Sequence, residues 1–150
     1  DVVFGAGTVL DSESARAAIL AGARFIVAPN LNPDVIRLCN RYGVVSMPGA
    51  LTPTEILQAW EAGADVVKVF PCNMFGPGYL SAVLAPLPQV RLAPVGGVDA
   101  DNVSAYIRAG AACVGVGSSL VSNRLVAGGD WAALTERARA FVRGVQEGRA

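Results

Sequence analysis

Short apolar segments alternate along this chain with longer segments of helical periodicity. Runs of β-branched or apolar residues predict strands at 2–4, 25–28, 43–47, 66–70, 90–94 and 112–116. Apolar residues recur at helical spacing over 12–21, 33–42, 53–62, 79–84, 100–109 and 131–146. Buried strands that alternate with helices are typical of a parallel sheet. The pattern therefore predicts a single α/β domain over residues 1–150, with no linker inside it.

Two local motifs indicate where helices begin and end. Thr52-Pro53-Thr54-Glu55 has the form of a capping box with proline at the first helical position, so Glu55 is expected to cap a helix and not to act in catalysis. Ala-Gly-Ala precedes predicted strands at 21–23, 62–64 and 109–111. Each of these glycines is expected to end a helix in the left-handed conformation.

Composition excludes several classes of protein. Hydrophobic residues make up 53% of the chain and charged residues 16%, which argues against disorder, and 12 basic residues balance 12 acidic ones without a basic cluster. We therefore expect neither nucleic acid nor a membrane surface as a partner. Cys39, Cys72 and Cys113 are widely spaced and there is no histidine, which favours reduced thiols and no zinc site. Without a membrane-length apolar run or a signal-peptide pattern, the expected location is the cytoplasm.

Lys68 is the only lysine in the chain, and it lies inside the apolar run at 66–70. An ammonium group buried without a partner is costly, and desolvation lowers its pKa. A neutral amine attacks carbonyl groups and forms Schiff bases. Two interpretations are open at this point: a catalytic nucleophile, or a lysine at a strand end whose ammonium reaches solvent or pairs with a carboxylate.

Two glycine-rich turns each follow a predicted strand and lead toward a helix. They are Pro94-Val95-Gly96-Gly97 and Gly115-Val116-Gly117-Ser118-Ser119. Such turns bind phosphate through backbone N–H groups, although either one alone is more typical of a simple tight turn. In a (β/α)8 TIM barrel, the phosphate site is built by the loops after strands seven and eight. On that count the chain supplies about six βα units, strands 3 to 8, and the first two units are missing.

Residues at other strand ends are candidates for the same site. Thr8 follows the first predicted strand. Its hydroxyl is suited to donate a hydrogen bond to a substrate carboxylate or carbonyl; the alternative is a threonine that lies at the start of a helix. Pro29 and Phe70 follow the second and the lysine-bearing strand. Phe70 is expected to form a wall of the site and not to take part in the chemistry.

Seven segments occur in an order that resembles the class I 2-keto-3-deoxy-6-phosphogluconate (KDPG) aldolase family. They are Gly5-Ala6-Gly7-Thr8-Val9, Phe25-Ile26-Val27-Ala28-Pro29, Pro48-Gly49, Thr52-Pro53-Thr54-Glu55, Lys68-Val69-Phe70-Pro71, Gly96-Gly97-Val98 and Gly117-Ser118. The resemblance implies that Lys68 forms the Schiff base with pyruvate or the ketoacid. It implies a phosphate site made by Gly96, Gly97, Gly117 and Ser118. It also implies that Thr8 and Pro29 line the pyruvate end, with Phe70 beside the lysine.

The chain departs from the family pattern in two places. The family's acid–base glutamate and a substrate-binding arginine lie on a strand that would precede residue 1, so neither is carried over. Val95 stands where gluconate-type members have threonine, and Val95 and Phe75-Gly76-Pro77 with Tyr79 resemble the 6-phosphogalactonate aldolases. The loss of a hydroxyl from the substrate wall is expected to change which C4 epimer is favoured.

The resemblance implies a lyase that cleaves a 2-keto-3-deoxy-6-phospho-sugar acid to pyruvate and glyceraldehyde 3-phosphate. It implies no metal or organic cofactor and a homotrimeric assembly. Two alternatives stay open. One is a catalytically incomplete barrel that acts as a phosphate-binding or assembly module, because the glutamate is missing. The other is a sugar-phosphate isomerase or epimerase in which Lys68 makes only an electrostatic contact.

Overall fold

The computed structural model describes residues 2–150. Parallel strands and intervening helices confirm the α/β class. The chain forms two compact units, residues 1–70 with 87–92 and residues 71–86 with 93–150. The expectation of a single domain stays a prediction. No helix in the described part of the chain combines the length and apolar character that a membrane span needs.

The first unit holds two pairs of parallel strands. Its helices are α1 (Ser12–Leu20), α2 (Pro33–Tyr42) and α3 (Pro53–Glu61), and its strands are β1 (Phe25–Val27), β2 (Val45–Met47), β3 (Gly49–Ala50) and β4 (Val67–Val69). β1 pairs with β2 and β3 pairs with β4. A core of Val9, Ala15, Ile26, Val35 and Cys39 packs under α1 and α2.

Local capping sets the helix ends of this unit, and the capping box at 52–55 is as predicted. The side chain of Asn32 caps α2 at its start, and Gly43 ends it at φ 64°. Thr52 and Glu55 form the capping box of α3. Gly22, Gly63 and Gly110, the last of these in the second unit, have φ of 102°, 95° and 101°, which confirms the left-handed glycines after three helices.

A cation–π contact between Arg91 and Trp60 lies near the start of β4. The guanidinium carbon of Arg91 lies 5.4 Å from the centre of the Trp60 ring. The carbonyl of Arg91 also accepts a hydrogen bond from the N–H of Val67 at 2.8 Å. Trp60 is thereby held against the sheet of the first unit.

The second unit is mostly helical. It contains a 3₁₀ turn (Cys72–Met74), α4 (Pro77–Leu84), α5 (Val103–Arg108), α6 (Asn123–Ala127) and α7 (Trp131–Arg149). β5 (Leu92–Pro94) begins at the last residue of the first unit and continues into the second. α7 packs closely on α5, because a Cβ on Gly144 would come 2.5 Å from Val103 Cγ1. α6 and the 3₁₀ turn were not predicted, because five and three residues are too few to show a helical period.

Two predicted strands are absent as strands from the described residues. Segments 2–4 and 112–116 are irregular, and each region contributes only one parallel bridge, Ala6 with Ile26 and Gly115 with Val95. Val2, Val3 and Phe4 are 64–77% exposed, so apolar composition there does not reflect burial in a sheet. The prediction of six βα units from an eight-stranded barrel is therefore not established by these strands.

Candidate active site

Lys68 is the central residue of β4. It lies between Val67 and Val69, whose side chains are both fully buried, and its N–H donates to Pro48 O at 2.8 Å. Side chains alternate along a strand, so Lys68 and Phe70 share the face opposite to the two valines. The Nζ atom of Lys68 lies 4.4 Å from the centre of the Phe70 ring.

The environment of Lys68 favours the neutral amine. Burial lowers its pKa below the ordinary value of 10.5. The Phe70 ring, 4.4 Å from Nζ, offers the protonated form a cation–π contact. Ion pairs in the described residues join Arg37 to Asp34 and Arg139 to Glu136, and none involves Lys68. The half-buried amine is thus without a carboxylate partner in residues 2–150, which suits a nucleophile.

Pro29 and Phe70 line one open cleft in the first unit. Its volume is about 400 Å³, and its other walls include Glu55 and Gln58. The cleft depends on a close approach of two chain segments, because a Cβ on Gly49 would come 2.3 Å from Pro29 O. Lys68 and Thr8 are not among its lining residues. Phe70 therefore contacts the amine of Lys68 and borders the same cleft as Pro29.

Glu55 is held as a helix cap, as its sequence context predicts. Its Oε2 accepts hydrogen bonds from the N–H groups of Thr52 at 2.8 Å and Leu51 at 3.0 Å, and from Thr52 Oγ1 at 2.8 Å. These bonds, first those from the backbone of Thr52 and Leu51, lower the pKa of Glu55. A carboxylate so engaged is a poor proton acceptor.

Thr8 has an unusual backbone conformation. Its φ is 59°, in the left-handed region that β-branched residues rarely adopt. The conformation is imposed by its neighbours, since Ala6 bridges Ile26 and the N–H of Val9 donates to Val27 O at 3.1 Å. Thr8 is exposed, so its hydroxyl is accessible. Backbone strain of this kind is frequent at binding sites.

The structure brings the two glycine-rich turns together in the second unit. Val95 bridges Gly115, whose N–H donates to Pro94 O at 3.0 Å. A Cβ on Gly115 would come 2.6 Å from Val95 Cγ2, so the two turns touch directly. Ser119 Oγ adds a second link by donating to Val98 O at 2.7 Å.

Backbone donors are left unused at these turns. Within residues 2–150, the N–H groups of Gly96, Gly97 and Ser118 donate to no protein atom. Gly97, Gly117 and Ser118 are exposed. The next helices begin only at Val103 and Asn123, so the available donors belong to the turns themselves and not to a helix N-terminus.

Two residues outside the predicted site, Asp99 and Asn102, hold the first glycine-rich turn. Asn102 Nδ2 donates to Gly97 O at 2.8 Å, and its Oδ1 accepts from the N–H of Asp99 at 3.0 Å. Asp99 Oδ1 accepts in return from the N–H of Asn102 at 2.9 Å. The spacing Asp-x-x-Asn before a helix was the available signal, because such side chains cap turns. In the described chain, no three His, Cys, Asp or Glu side chains are grouped so as to hold a metal ion.

Comparison with known proteins gives consistent relatives. The 2-dehydro-3-deoxy-6-phosphogalactonate aldolase of Escherichia coli (strain K12) is 40% identical over 146 residues, which are 97% of this chain and 69% of that protein. The 2-dehydro-3-deoxy-phosphogluconate aldolase of Treponema pallidum is 40% identical over 136 residues, 90% of this chain and 65% of the relative. The chain thus spans about two thirds of the length of these relatives.

Solved structures agree in fold. A structure described as native KDPGal matches with a TM-score of 0.90 and 38% identity, over 98% of this chain and 70% of that one. The KDPG aldolase of Legionella pneumophila, with pyruvate captured as a covalent carbinolamine intermediate, matches with a TM-score of 0.84 and 28% identity over 95% and 68% of the two chains. The family model for KDPG and KHG aldolases matches residues 1–137. The chain belongs to the KDPG and KHG aldolase family.

Proposed function

We propose that this chain carries the Schiff-base site of a class I aldolase, with Lys68 as the nucleophile. The observation that carries the proposal is the half-buried Nζ of Lys68, which has no carboxylate partner in residues 2–150 and a pKa lowered by burial. The Legionella relative with pyruvate captured as a carbinolamine supports the same chemistry. The reaction is the reversible cleavage of a 2-keto-3-deoxy-6-phospho-sugar acid.

The neutral amine of Lys68 adds to the C2 ketone, and the resulting carbinolamine takes up a proton and loses water to form an iminium ion. Removal of the C4 hydroxyl proton then breaks the C3–C4 bond, whose electron pair moves into the iminium ion and leaves an enamine. Glyceraldehyde 3-phosphate is released as the aldehyde. Protonation of the enamine at C3 and hydrolysis return pyruvate and the free amine.

The remaining predicted residues receive binding roles. Thr8 and Pro29 are proposed to face the carboxylate end of the substrate, and Phe70 to keep the amine partly desolvated. At the other end, the phosphate is proposed to bind the unused N–H groups of Gly96 and Gly97 together with Gly117 and Ser118. Unpaired backbone donors in consecutive turn residues form concave sites for anions, which supports this assignment.

Two candidate functions differ in whether a group is available to take the proton of the C4 hydroxyl. Among residues 2–150, Glu55 is the only carboxylate that lines the cleft beside Phe70, and its capping bonds make it unsuited to this task. The second candidate function is therefore a phosphate-binding or assembly module that forms the Schiff base without turning over. For an active enzyme, we propose a carboxylate that acts through water, as the family resemblance implies.

The substrate epimer is proposed to be the galactonate form. Sequence identity does not decide this, because a phosphogalactonate and a phosphogluconate aldolase are both 40% identical to this chain. Val95 supports the proposal, since it presents methyl groups where gluconate-type members have a hydroxyl. We also propose a cytoplasmic homotrimer, for which light scattering on a size-exclusion column gives the mass directly.

Trapping with borohydride tests the proposal. The protein is incubated with pyruvate and sodium borohydride, and its adducts are mapped by mass spectrometry while pyruvate release from each 6-phospho epimer is assayed in parallel. We expect one pyruvyl adduct on Lys68 and release of pyruvate. An adduct without turnover would favour the module, and a folded protein without an adduct on Lys68 would overturn both the nucleophile and the mechanism.

A further inference from the structure

We propose that the side-chain amide of Asn73 is a further ligand for the phosphate group, presented by the 3₁₀ turn after the lysine-bearing strand. This inference rests on the proposed function, because it concerns the same phosphate site. Asn73 belongs to neither of the glycine-rich turns.

The 3₁₀ turn lies directly against the first glycine-rich turn. A Cβ on Gly97 would come 2.5 Å from Asn73 Cβ and 3.1 Å from Asn73 Cα, so only glycine permits this approach. Gly97 also has φ of 75°, which other residues rarely adopt. The Cβ of Asn73 therefore lies close to Gly97, whose own N–H has no protein partner among residues 2–150.

The position of Asn73 is fixed by its predecessor. The N–H of Cys72 donates to Val95 O at 2.9 Å, and the carbonyl of Cys72 accepts from Tyr106 Oη at 3.5 Å. Burial, followed by the contact with Cys72, raises the pKa of Tyr106 to about 12, so the hydroxyl keeps its proton and continues to donate. Both bonds hold the turn to the framework of the phosphate site.

The Asn73 amide is chemically available. The side chain is exposed and takes part in no hydrogen bond with the described residues. It offers two N–H donors without a charge, and hydrogen bonds from such donors to an anion are stronger than those between neutral groups. Gly97 O already accepts a hydrogen bond from Asn102 Nδ2 at 2.8 Å. The Asn73 donors therefore have no partner among residues 2–150 and are available to an anion.

Calorimetry with 3-phosphoglycerate and glycerate tests the inference, since the two probes differ only by the phosphate group. The variants are Asn73→Ala, which removes the donors, and Asn73→Asp, which replaces them with a charge of the same shape. Asn40→Asp is the matched control, because Asn40 is also an exposed asparagine against a glycine of positive φ, Gly63, in the first unit. Trapping of pyruvate on Lys68 is measured for every variant.

We expect Asn73→Ala to weaken binding of 3-phosphoglycerate about tenfold, and Asn73→Asp to weaken it further by repulsion. Glycerate binding and pyruvate trapping should not change, and Asn40→Asp should match the parent. If the parent traps pyruvate and the Asn73 variants bind 3-phosphoglycerate as tightly as it does, the role of Asn73 is wrong while the aldolase proposal stands. If the parent traps no pyruvate, the proposed function itself fails.

Discussion

Lys68 and Phe70 form a pair on one face of β4, with the Nζ atom 4.4 Å from the centre of the ring. The pair follows from the two-residue period of a strand, which also buries Val67 and Val69 on the other face. Within residues 2–150, the amine is therefore shielded by an aromatic ring and not neutralised by a carboxylate. Its reactivity should follow from this environment.

The first prediction concerns the pH dependence of Schiff-base formation. Because burial lowers the pKa of Lys68 below 10.5, the neutral amine should dominate from a lower pH than in a free lysine. The rate of pyruvate trapping should rise with pH and then level off. The apparent pKa of this pH profile should be lower than that of N-acetyl-lysine measured in parallel. An apparent pKa equal to that of the free amine would contradict the assigned environment.

Replacement of Lys68 should abolish activity and stabilise the fold. Lys68→Met is expected to abolish trapping and to lower turnover at least about a thousandfold, while raising the melting temperature at pH 7. The folded-state pKa is depressed, so the unfolded chain binds more protons and the lysine destabilises the fold most at low pH. The gain in melting temperature should therefore shrink as the pH approaches 10.5.

Arg143→Met is the control for this experiment, because it removes a positive charge from an exposed helix position. It should leave the melting temperature nearly unchanged. An equal increase in both variants would mean that loss of net charge, and not burial of the Lys68 amine, is responsible.

Thr8→Asn should relieve backbone strain. Asparagine tolerates the left-handed region better than a β-branched residue, so the variant should be more stable by about 1 kcal/mol. The shift is read from the urea midpoint at unchanged m-value. Thr54→Asn, in the first turn of α3, is the control and should give no gain; a destabilised Thr8→Asn would show that the threonine hydroxyl matters more than the strain.

Gly115→Ala should disrupt the contact between the glycine-rich turns. The new Cβ would lie 2.6 Å from Val95 Cγ2, and such overpacking typically costs about 1–3 kcal/mol. Gly117→Ala, two residues away, meets no atom within 4 Å and should change the stability by less than about 0.5 kcal/mol. Thermal unfolding of both variants measures the difference. Equal melting temperatures would contradict the close packing of Gly115 against Val95.

Val95→Thr should change the preference for the C4 epimer. The added hydroxyl can bond a substrate hydroxyl, so the ratio of kcat/KM for the gluconate epimer to that for the galactonate epimer should rise about tenfold. Val116→Thr makes the same chemical change in the facing turn and should leave the ratio unaltered. No change with Val95→Thr would remove this residue as a determinant of specificity.

Helices could be predicted well because their signals are local. α2 occupies the predicted segment 33–42 since Asn32 and Gly43, its direct neighbours in sequence, cap it. Segments 2–4 and 112–116 were wrong as strands, because a strand also requires a partner along its whole length, which the sequence does not display.

The residues of the candidate site likewise differ in whether a local sequence signal reveals them. Lys68 could be identified because a single lysine in an apolar run is unusual by itself. Asn73 could not, because it gains its meaning only from Gly97, which lies 24 residues later. Asn102 has a local signal in its spacing after Asp99, but its bond to Gly97 O is seen only in the structure. The strain at Thr8 was also beyond the sequence, since it arises from the pairing of its neighbours with β1.

The contact of Arg91 with Trp60 also provides an optical reporter. The chain has two tryptophans, and each compact unit contains one, Trp60 in the first and Trp131 in the second. Trp60 lies under a guanidinium group, whereas Trp131 is 63% exposed, so their emission should differ in the folded protein. Trp60→Phe and Trp131→Phe would leave one fluorophore in each unit, and coincident urea transitions in the two variants would mean that both units melt as one cooperative body.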